Sequence, residues 1–472
     1  MRPWAGSTSR PARTRRWANG ALPADEGRAF ADALRQARES GSRTARWLRG
    51  AFWRNFQVKY REVNDLHKQM LRVSDKVEAM PPGPARDAAL DHLYRGQSND
   101  CYWHGLFGGI YLPHIRAATL SHLIAAEDIA EEVAGAHASA EVLDVDLDGR
   151  DELRLATAGQ VVTVDLDEGA GIGSWDLRAA RHALTSVLRR RPEAYHETLR
   201  RHEGKVATAA TTNGTGAESD AAGAAPASIH EMVRVKEAGL ADRLIHDDYE
   251  RRSGLIRVLP LDATAEAWGA GGRGDLGDFV SAPFAVDRLD DTGAQLSRTG
   301  AVTVDGMTVP VRAQSELRLA GDRLDPTLEQ RVSLENLGAA PLEARIGIEY
   351  AITMLGGGGN PEAWWDIGGA RTAHDATSSA RGVERVAQGN GWLGVELEST
   401  VSPAADAWVA PIETVSNSES GFERVYQGSA LLLSWPVRIA PGERWSAAIR
   451  HAVTVSEDRA GSGAATRAVA GG

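Results

Sequence analysis

The segment "QSNDCYWHGLFGG", residues 97–109, gathers more polar and aromatic side chains than an ordinary helix carries. If it is helical, Asp100 and Trp103 lie three residues apart and share one face. A carboxylate beside an indole can hold a sugar ring, because the acid accepts hydrogen bonds from hydroxyls and the indole covers the apolar face of the ring. Asn99 and His104 would extend this polar set, so the segment is a candidate carbohydrate-binding site.

A purely structural interpretation of the same segment stays open. In it, Trp103 and Phe107 belong to the core, Asp100 caps a turn, and His104 is a buried histidine with satisfied hydrogen bonds. Residue types alone favour this interpretation over a binding site. Cys101 has no catalytic base assigned to it and is expected to be a small buried residue.

A second candidate site is the acidic loop "DVDLDGRDE", residues 144–152. Alternating carboxylates in a tight loop converge on one point, which suits an oxygen-seeking cation such as Ca²⁺ with a structural role. The loop is not an EF-hand, because the twelfth position is Leu155 rather than Glu. An Asp-rich hairpin turn without metal is the alternative, and no other cofactor is expected. The predicted ligands are Asp144, Asp146, Asp148 and Glu152, with Gly149 at the turn.

Periodicity indicates which elements must position these groups. Apolar residues recur at steps of four and three along residues 64–80, which predicts an amphipathic helix ending before "PPGP". A second helix is predicted from about 85 to 103, and a third begins at Pro113. Strand-like pieces start at Glu141, and a helical interlude is predicted at roughly 177–202. The segment Arg345–Ile352 alternates apolar and polar residues, which predicts a strand with one buried face.

Together these patterns predict an α+β fold, an N-terminal antiparallel helical bundle followed by a large antiparallel β-sandwich. The predicted divisions are a disordered leader at 1–23, the helical bundle at 24–140, a β-meander with helical extension at 141–204, a flexible low-complexity loop at 205–228, the β-sandwich at 229–456 and a disordered tail at 457–472.

Composition excludes several classes of protein. The chain has 472 residues and a net charge of -11, which argues against nucleic acid or anionic membrane as a partner. It contains one cysteine and therefore cannot form an internal disulfide, a bond that is typical of secreted proteins. No apolar window is long enough for a membrane span, and the Arg-rich first 20 residues lack the apolar region of an export signal. A cytoplasmic location is therefore expected.

Several long motifs resemble glycoside hydrolase family 57, the group of 4-α-glucanotransferases and α-amylases. The similarity covers residues 45–456. It is carried by "WRNFQVKYREVNDLHKQMLRVSDKV" (53–77), "GQSNDCYWHGLFGGIYLPHIR" (96–116), "IHEMVRVKEAGLADRLIHDDYERRSG" (229–254) and "PIETVSNSESGFERVYQGSALLLSWPV" (411–437). By this resemblance, Asp100 and Trp103 match the acid and the tryptophan that the helical domain contributes to the glucan-binding cleft.

The resemblance also implies a retaining reaction on α-1,4-glucan, which needs two carboxylates about 5 Å apart. In this family the pair belongs to a distorted (β/α) barrel, and a barrel needs roughly 200 or more residues. The "WRNF" segment begins at residue 53, so we expect the barrel and its catalytic pair to be missing from this sequence. The chain alone is then expected to bind α-glucan or maltooligosaccharide without catalysis.

Alternatives remain for both partner and function. The chain could be a stand-alone carbohydrate-binding protein, or it could assemble with a separate catalytic barrel subunit or as a homo-oligomer. Acids in the sandwich segment are expected to pair with neighbouring arginines rather than to form a second catalytic site; these are Glu231, Glu237, Asp247, Asp248, Glu413, Glu419 and Glu423. Trp364 and Trp365 are candidates for a sugar-contacting surface, with packing the expected role for at least one.

Overall fold

A helical layer forms the N-terminal part of the fold. The computed structural model describes residues 20–104, 108–136, 138–212, 234–271, 274–418 and 420–458. The predicted leader and tail fall almost entirely outside these ranges. The helices in this layer are α1 (Ala24–Glu39), α2 (Trp53–Lys59), α3 (Arg61–Glu78), α4 (Pro84–Gly96) and α5 (Pro113–Ala134).

The predicted apolar stripe on α3 is confirmed. Leu66, Val73 and Val77 are buried, and they pack in one cluster with residues of α4 and α5. Burial of this stripe, rather than intrinsic propensity, is what stabilises an amphipathic helix in a protein. The predicted start of α5 at Pro113 is also confirmed, since proline supplies a helical φ at a position without an intrahelical acceptor.

The helix predicted to run to residue 103 ends earlier. α4 stops at Gly96, whose missing side chain makes room for Leu123 of α5; a Cβ there would lie 2.5 Å from the Leu123 side chain. A separate 3₁₀ helix, Asn99–Tyr102, follows after a break. The prediction of a continuous helix was wrong because close packing of α4 on α5 redirects the chain at this point.

A five-stranded antiparallel sheet follows the helices in simple chain order, as the strand-like pieces predicted. Its strands are β1 (Ser139–Leu143), β2 (Glu152–Ala156), β3 (Gln160–Asp165), β4 (Gly171–Leu177) and β5 (His182–Ala183). The helical interlude predicted at 177–202 was wrong in its first part, because residues 184–195 run without helix as far as α6 (His196–Thr212). α6 continues past residue 205, where a loop was predicted, through alanine-rich sequence that favours helix.

The second half of the described chain is a large antiparallel β-sandwich. Its strands are β6 (Leu255–Leu259), β7 (Ala285–Asp290), β8 (Gly293–Val304), β9 (Met307–Gly321), β10 (Pro326–Asn336), β11 (Leu342–Ile352), β12 (Ala363–Ile367), β13 (Ala370–Ala373), β14 (Ser378–Asn390), β15 (Val395–Ser418), β16 (Gly421–Ile439) and β17 (Arg444–Val455), with a short helix α7 (Ala265–Gly269) after β6. The long strand β15 pairs with β17 through residues 395–402 and with β16 through residues 406–418. It therefore passes from one layer of the sandwich to the other.

The layer β6–β11–β16 is buried on both faces, which corrects the prediction of one buried face for β11. Ile346, Ile348 and Tyr350 point into the main core, as predicted from their alternation. Glu349, on the opposite face, is equally inaccessible at 0 % exposure. The reason is that Arg251 and Trp268, outside the sheet, and Arg257 of β6 cover this face.

Ion pairs and hydrogen bonds join the helical layer to the sheets. Arg252, just before β6, contacts Asp65 of α3 at 2.9 Å and Asp165 of β3 at 2.6 Å. Arg116 of α5 donates to the Gln427 side chain of β16 at 2.8 Å. These buried contacts hold the helices in a fixed position relative to the sandwich. Among the described helices, none is both long and apolar enough to cross a membrane.

Candidate functional site

The carbohydrate-binding candidate, residues 97–104, lies between the end of α4 and a second short 3₁₀ helix, Gly109–Tyr111. Asn99 and Asp100 are exposed on the first 3₁₀ helix. Trp103 ends that helix in an extended conformation, with φ -156° and ψ -177°. It is half-buried and packs against the cluster that contains Phe56 and Tyr111. All four predicted residues, including the half-buried His104, are thus accessible in full or in part.

The buried side chains of Tyr102 and Cys101 anchor the 3₁₀ helix to the neighbouring helices. Tyr102 donates to the carbonyl oxygen of Gly96 at 2.7 Å. The Cys101 thiol donates to Thr119 of α5 at 3.1 Å. Burial raises the pKa of the Cys101 thiol, which keeps it protonated. Cys101 is therefore a small buried anchor, as expected, and the helix presents its polar residues to solvent.

At Gly109 the backbone passes close to the backbone of Trp103 and His104. The amide of Ile110 donates to the carbonyl oxygen of Trp103 at 2.8 Å. A Cβ on Gly109 would lie 2.2 Å from that oxygen and from the backbone of His104, and the φ of Gly109 is +53°. Only glycine fits this position without moving the backbone. Phe107 lies outside the described residues.

His104 is part of a buried polar network rather than an isolated side chain. Its Nε2 lies 2.5 Å from the hydroxyl of Tyr60 at the end of α2. The Tyr60 hydroxyl also donates to Glu193, and the Tyr111 hydroxyl donates to the same carboxylate oxygen at 2.7 Å. Lys59 donates to the other oxygen at 2.8 Å. The network links the candidate segment to α2 and to the turn before α6.

Glu193 carries the charge at the centre of this network and is 4 % exposed. Burial acts to raise the pKa of Glu193, but the charges of Lys59 and His104 and the hydrogen bonds hold it below its usual range. Burial, together with the Glu193 charge, raises the pKa of Tyr60 and Tyr111 well above the ordinary tyrosine value. Both hydroxyls therefore stay protonated and keep donating.

Reasoning from the sequence did not find this network. Tyr60 and Tyr111 lie inside motifs that carry the family resemblance, but nothing in their spacing pairs them with Glu193. The Tyr60–Glu193 contact spans 133 residues. Glu193 is one of two glutamates in "RRRPEAYHETL", and nothing local in that segment signals its burial.

The acidic loop brings three of its four predicted ligands together. Carboxylate oxygens of Asp144, Asp146 and Glu152 lie within 4.8 Å of one another. The Asp148 carboxylate instead accepts from the Arg150 amide at 3.0 Å and lies 3.7 Å from Arg61. An all-oxygen donor set of this kind fits a hard cation such as Ca²⁺.

Raised pKa values in the loop agree with carboxylates that are crowded around one point. Burial, with the charges of Asp146 and Asp148, raises the pKa of Glu152 to about 8. Burial and the Asp148 charge also raise the pKa of Asp146. Crowded carboxylates that repel one another gain from a bound cation. The amides of Asp148 and Gly149 donate to Asp144 and preform the loop.

The sandwich candidates mostly serve structural contacts. Arg424 pairs with Glu237 at 3.0 Å and with Glu413 at 3.1 Å, as expected for acids near arginines. Trp365 is 1 % exposed and belongs to the core, whereas Trp364 is half-buried with the Arg371 guanidinium 4.0 Å from its ring centre. Glu231 and Glu419 lie outside the described residues.

Comparison with known proteins identifies the family. The family model described as "Alpha-amylase/4-alpha-glucanotransferase, C-terminal" matches residues 144–449, and the model for the middle domain matches residues 51–130. The chain is 32 % identical over 412 residues to Alpha-amylase 1 of Dictyoglomus thermophilum, covering 86 % of this chain and 54 % of the relative. It is 29 % identical over 420 residues to the 4-alpha-glucanotransferase of Thermococcus litoralis, covering 88 % and 56 %.

The fold agrees with the same group. The crystal structure of the Thermococcus litoralis 4-alpha-glucanotransferase superposes with a TM-score of 0.71 at 24 % identity, over 93 % of this chain and 59 % of that one. The chain thus spans about half the length of the curated relatives that it matches. The resemblance in the motifs is confirmed, and the chain belongs to the alpha-amylase/4-alpha-glucanotransferase family, of the glycoside hydrolase family 57 type.

Proposed function

We propose that this chain forms the glucan-binding side of an α-1,4-glucan-acting, retaining 4-α-glucanotransferase or α-amylase, whose catalytic carboxylate pair is supplied by a barrel outside the matched regions. The proposal is supported by the family match over the middle and C-terminal regions, together with the exposed Asp100 three residues before the half-buried Trp103. The relatives are named as alpha-amylases and 4-alpha-glucanotransferases.

In this proposal Asp100 and Trp103 hold a glucosyl unit. The exposed side chain of Asp100 accepts hydrogen bonds from sugar hydroxyls, and the indole of Trp103 covers an apolar ring face. Asn99 adds an amide that both donates and accepts. His104, fixed by Tyr60, limits where the neighbouring Trp103 backbone can move. Residues held in this way let the free energy of substrate binding keep the substrate in one orientation.

The proposed partner is the catalytic barrel, whether it lies on this polypeptide or on a separate one. Trp47 and Phe52 precede α2 and Val58 lies near its end, and they are 76 %, 72 % and 79 % exposed. Large apolar side chains concentrated in one exposed segment indicate a surface that another domain covers. The segment adjoins residue 51, where the match to the middle domain begins.

The first experiment measures maltotetraose binding to the full chain by isothermal titration calorimetry. Trp103→Ala should weaken the affinity at least tenfold, because it removes the stacking surface. Trp47→Ala is the matched control, since it deletes an exposed tryptophan on the same helical layer and should leave the affinity unchanged. If the Trp103→Ala chain unfolds like the parent and binds equally well, Trp103 is a packing residue and the proposal fails.

The second experiment separates the proposal from a stand-alone carbohydrate-binding protein. The purified chain should not disproportionate or hydrolyse maltotriose. Activity should appear when it is mixed with the part of the Dictyoglomus thermophilum relative that it does not match. Catalysis by the chain alone would contradict the proposal. Binding that persists while no mixture becomes active would favour the stand-alone protein.

The chain's single cysteine agrees with a reducing compartment, so we propose a cytoplasmic location. Fractionation of the native cells, with antibody detection of the chain, tests this. Recovery outside the cytoplasmic fraction would overturn it.

A further inference from the structure

A pocket of about 220 Å³ lies on the outer face of the layer β6–β11–β16, away from the main core. Its walls come from residues 246–251, from β6, from α7 and from the middle of β15 and β16. Neither Asp100 nor Trp103 lines it. The pocket is therefore separate from the candidate segment described above.

One wall is built from arginines and carboxylates in balanced pairs. Asp247, almost wholly buried, lies 2.7 Å from Arg190 and also accepts from Arg251. Glu349 lies 2.8 Å from Arg251 and also accepts from Arg257, which in turn contacts Asp275 at 2.6 Å. Glu349 lies behind the lining, which holds three arginines, Arg190, Arg251 and Arg257, and three aspartates, Asp247, Asp248 and Asp275, so the formal charges of the lining balance.

Another part of the lining is apolar. It consists of Trp268 of α7 with Ala410, Pro411 and Ile412 of β15 and Ala430 of β16. The Trp268 indole N–H donates to Glu349 at 3.1 Å, which fixes the ring against the pocket. An indole held in this way offers a rigid apolar surface beside hydrogen-bonding groups.

Hydrogen-bonding capacity remains on the polar side. Among the described residues, Arg251 Nε and His246 Nε2 are buried without a hydrogen-bond partner, and both residues line the pocket. Arg251 is 8 % exposed. Buried polar atoms of this kind usually have partners, so each of these two groups still has a hydrogen bond to make. Asp248 stands at the exposed rim.

These features select the chemistry of a ligand. The balanced wall gives no net attraction to an anion or a cation, whereas guanidinium and carboxylate groups both hydrogen-bond well to hydroxyls. A pocket that combines apolar lining with guanidinium and carboxylate groups suits a ring with one apolar face and polar edges. The volume lies below the roughly 300–1,000 Å³ of ordinary small-molecule sites, so it suits one ring rather than a chain of them.

The geometry points to a second saccharide site, in which this pocket binds a single neutral pyranose unit against Trp268 while the ion-paired wall accepts and donates to its hydroxyls. This inference goes beyond the glucan-binding role of Asp100 and Trp103 and does not depend on it.

The test uses the full chain carrying Trp103→Ala, so that the first proposed site is removed. Glucose and maltose are titrated, and binding is followed by saturation-transfer NMR and calorimetry. Saturable binding of both sugars is expected. Trp268→Ala, added to this background, should weaken it at least tenfold, and Trp268→Phe should recover part of the loss because an aromatic wall returns.

A second variant guards against misfolding. Asp248→Trp places a bulky side chain at the exposed rim and should abolish binding, and the thermal unfolding midpoint of the variant is measured beside it to show that the fold is kept. Asp242→Trp is the matched control, at an exposed aspartate that does not line the pocket. No saturable binding in the Trp103→Ala chain, or unchanged binding in Asp248→Trp, would overturn the inference. Failure of Trp103→Ala to weaken maltotetraose binding would affect only the first site.

Discussion

The hydroxyl of Tyr111 donates a 2.7 Å hydrogen bond to Oε1 of Glu193, and the two residues are 82 positions apart in the chain. Tyr111 ends the short helix that follows the candidate segment, and Glu193 precedes α6. The same carboxylate is bound by Tyr60 and Lys59. One buried charge therefore fixes three elements around the residues proposed to bind glucan.

Replacing Glu193 with Gln should destabilise the chain by about 3–5 kcal/mol, because the ammonium of Lys59 is left buried without its counter-charge. Urea unfolding measures this loss. Glu197→Gln is the matched control, since its partner Arg201 is 68 % exposed and such surface pairs contribute about 0–1 kcal/mol. A loss below about 1 kcal/mol for Glu193→Gln would show that the network is not held by the charge.

Local pattern was enough to predict the elements, but not this network. The stripe of Leu66, Val73 and Val77 on α3 could be predicted because helix periodicity is encoded within a few turns. The partners of Glu193 come from distant segments, and no spacing rule connects them. The same holds for Glu349. Its position on an alternating strand predicted an exposed side chain, but residues from the segment 249–268 cover it.

The end of α4 shows a different reason for error. Residues 96–100, "GQSND", contain Gly, Ser, Asn and Asp, which favour caps and turns, so the sequence carried a local signal of a break that the predicted helix overlooked. The tight contact between Gly96 and Leu123, a property of helix packing, fixes the break at this point. The Asp100–Trp103 candidate rests on residue types and spacing within one short segment, and it stays a prediction.

Gly109→Ala should disturb the candidate segment more than an ordinary glycine substitution. A side chain at positive φ costs about 1–2 kcal/mol, and the clash with Trp103 and His104 adds about 1–3 kcal/mol. Gly306→Ala is the matched control, at φ +79° with nothing within 4 Å of its Cβ, and should show the first cost alone. Equal losses for the two variants in urea unfolding would contradict the close approach at Gly109.

Calcium should stabilise the chain through the loop at residues 144–152. At a Ca²⁺ concentration about 100 times the dissociation constant, the gain in the free energy of unfolding should be about 2.7 kcal/mol. Asp144→Asn should abolish most of this gain, whereas Asp151→Asn, in the same loop but outside the converging set, should keep it. Thermal unfolding with added Ca²⁺ or EDTA measures the effect. A parent chain indifferent to Ca²⁺ would mean that the loop is a turn without metal.

His451 of β17 should make the chain sensitive to acid. It is 0 % exposed, its ring centre lies 4.5 Å from that of Tyr350, and its Nδ1 lies 2.8 Å from the Ser399 hydroxyl. Burial lowers the pKa of His451 to about 3, whereas the unfolded chain protonates near its ordinary value of 6.5. Between these two values the unfolded state binds the proton and the folded state does not, so this residue lowers stability as the pH falls below about 6.5.

At pH 5 the penalty from His451 amounts to roughly 2 kcal/mol relative to pH 7. His451→Gln should reduce the change in unfolding free energy between pH 7 and pH 5 by about that amount, although the variant loses some packing at both values. His114→Gln, at an exposed histidine, is the matched control and should leave the change as it is in the parent. Because both variants are compared with the parent at each pH, contributions from the buried carboxylates cancel. An unaltered pH dependence in His451→Gln would mean that the imidazole takes up its proton without unfolding the core.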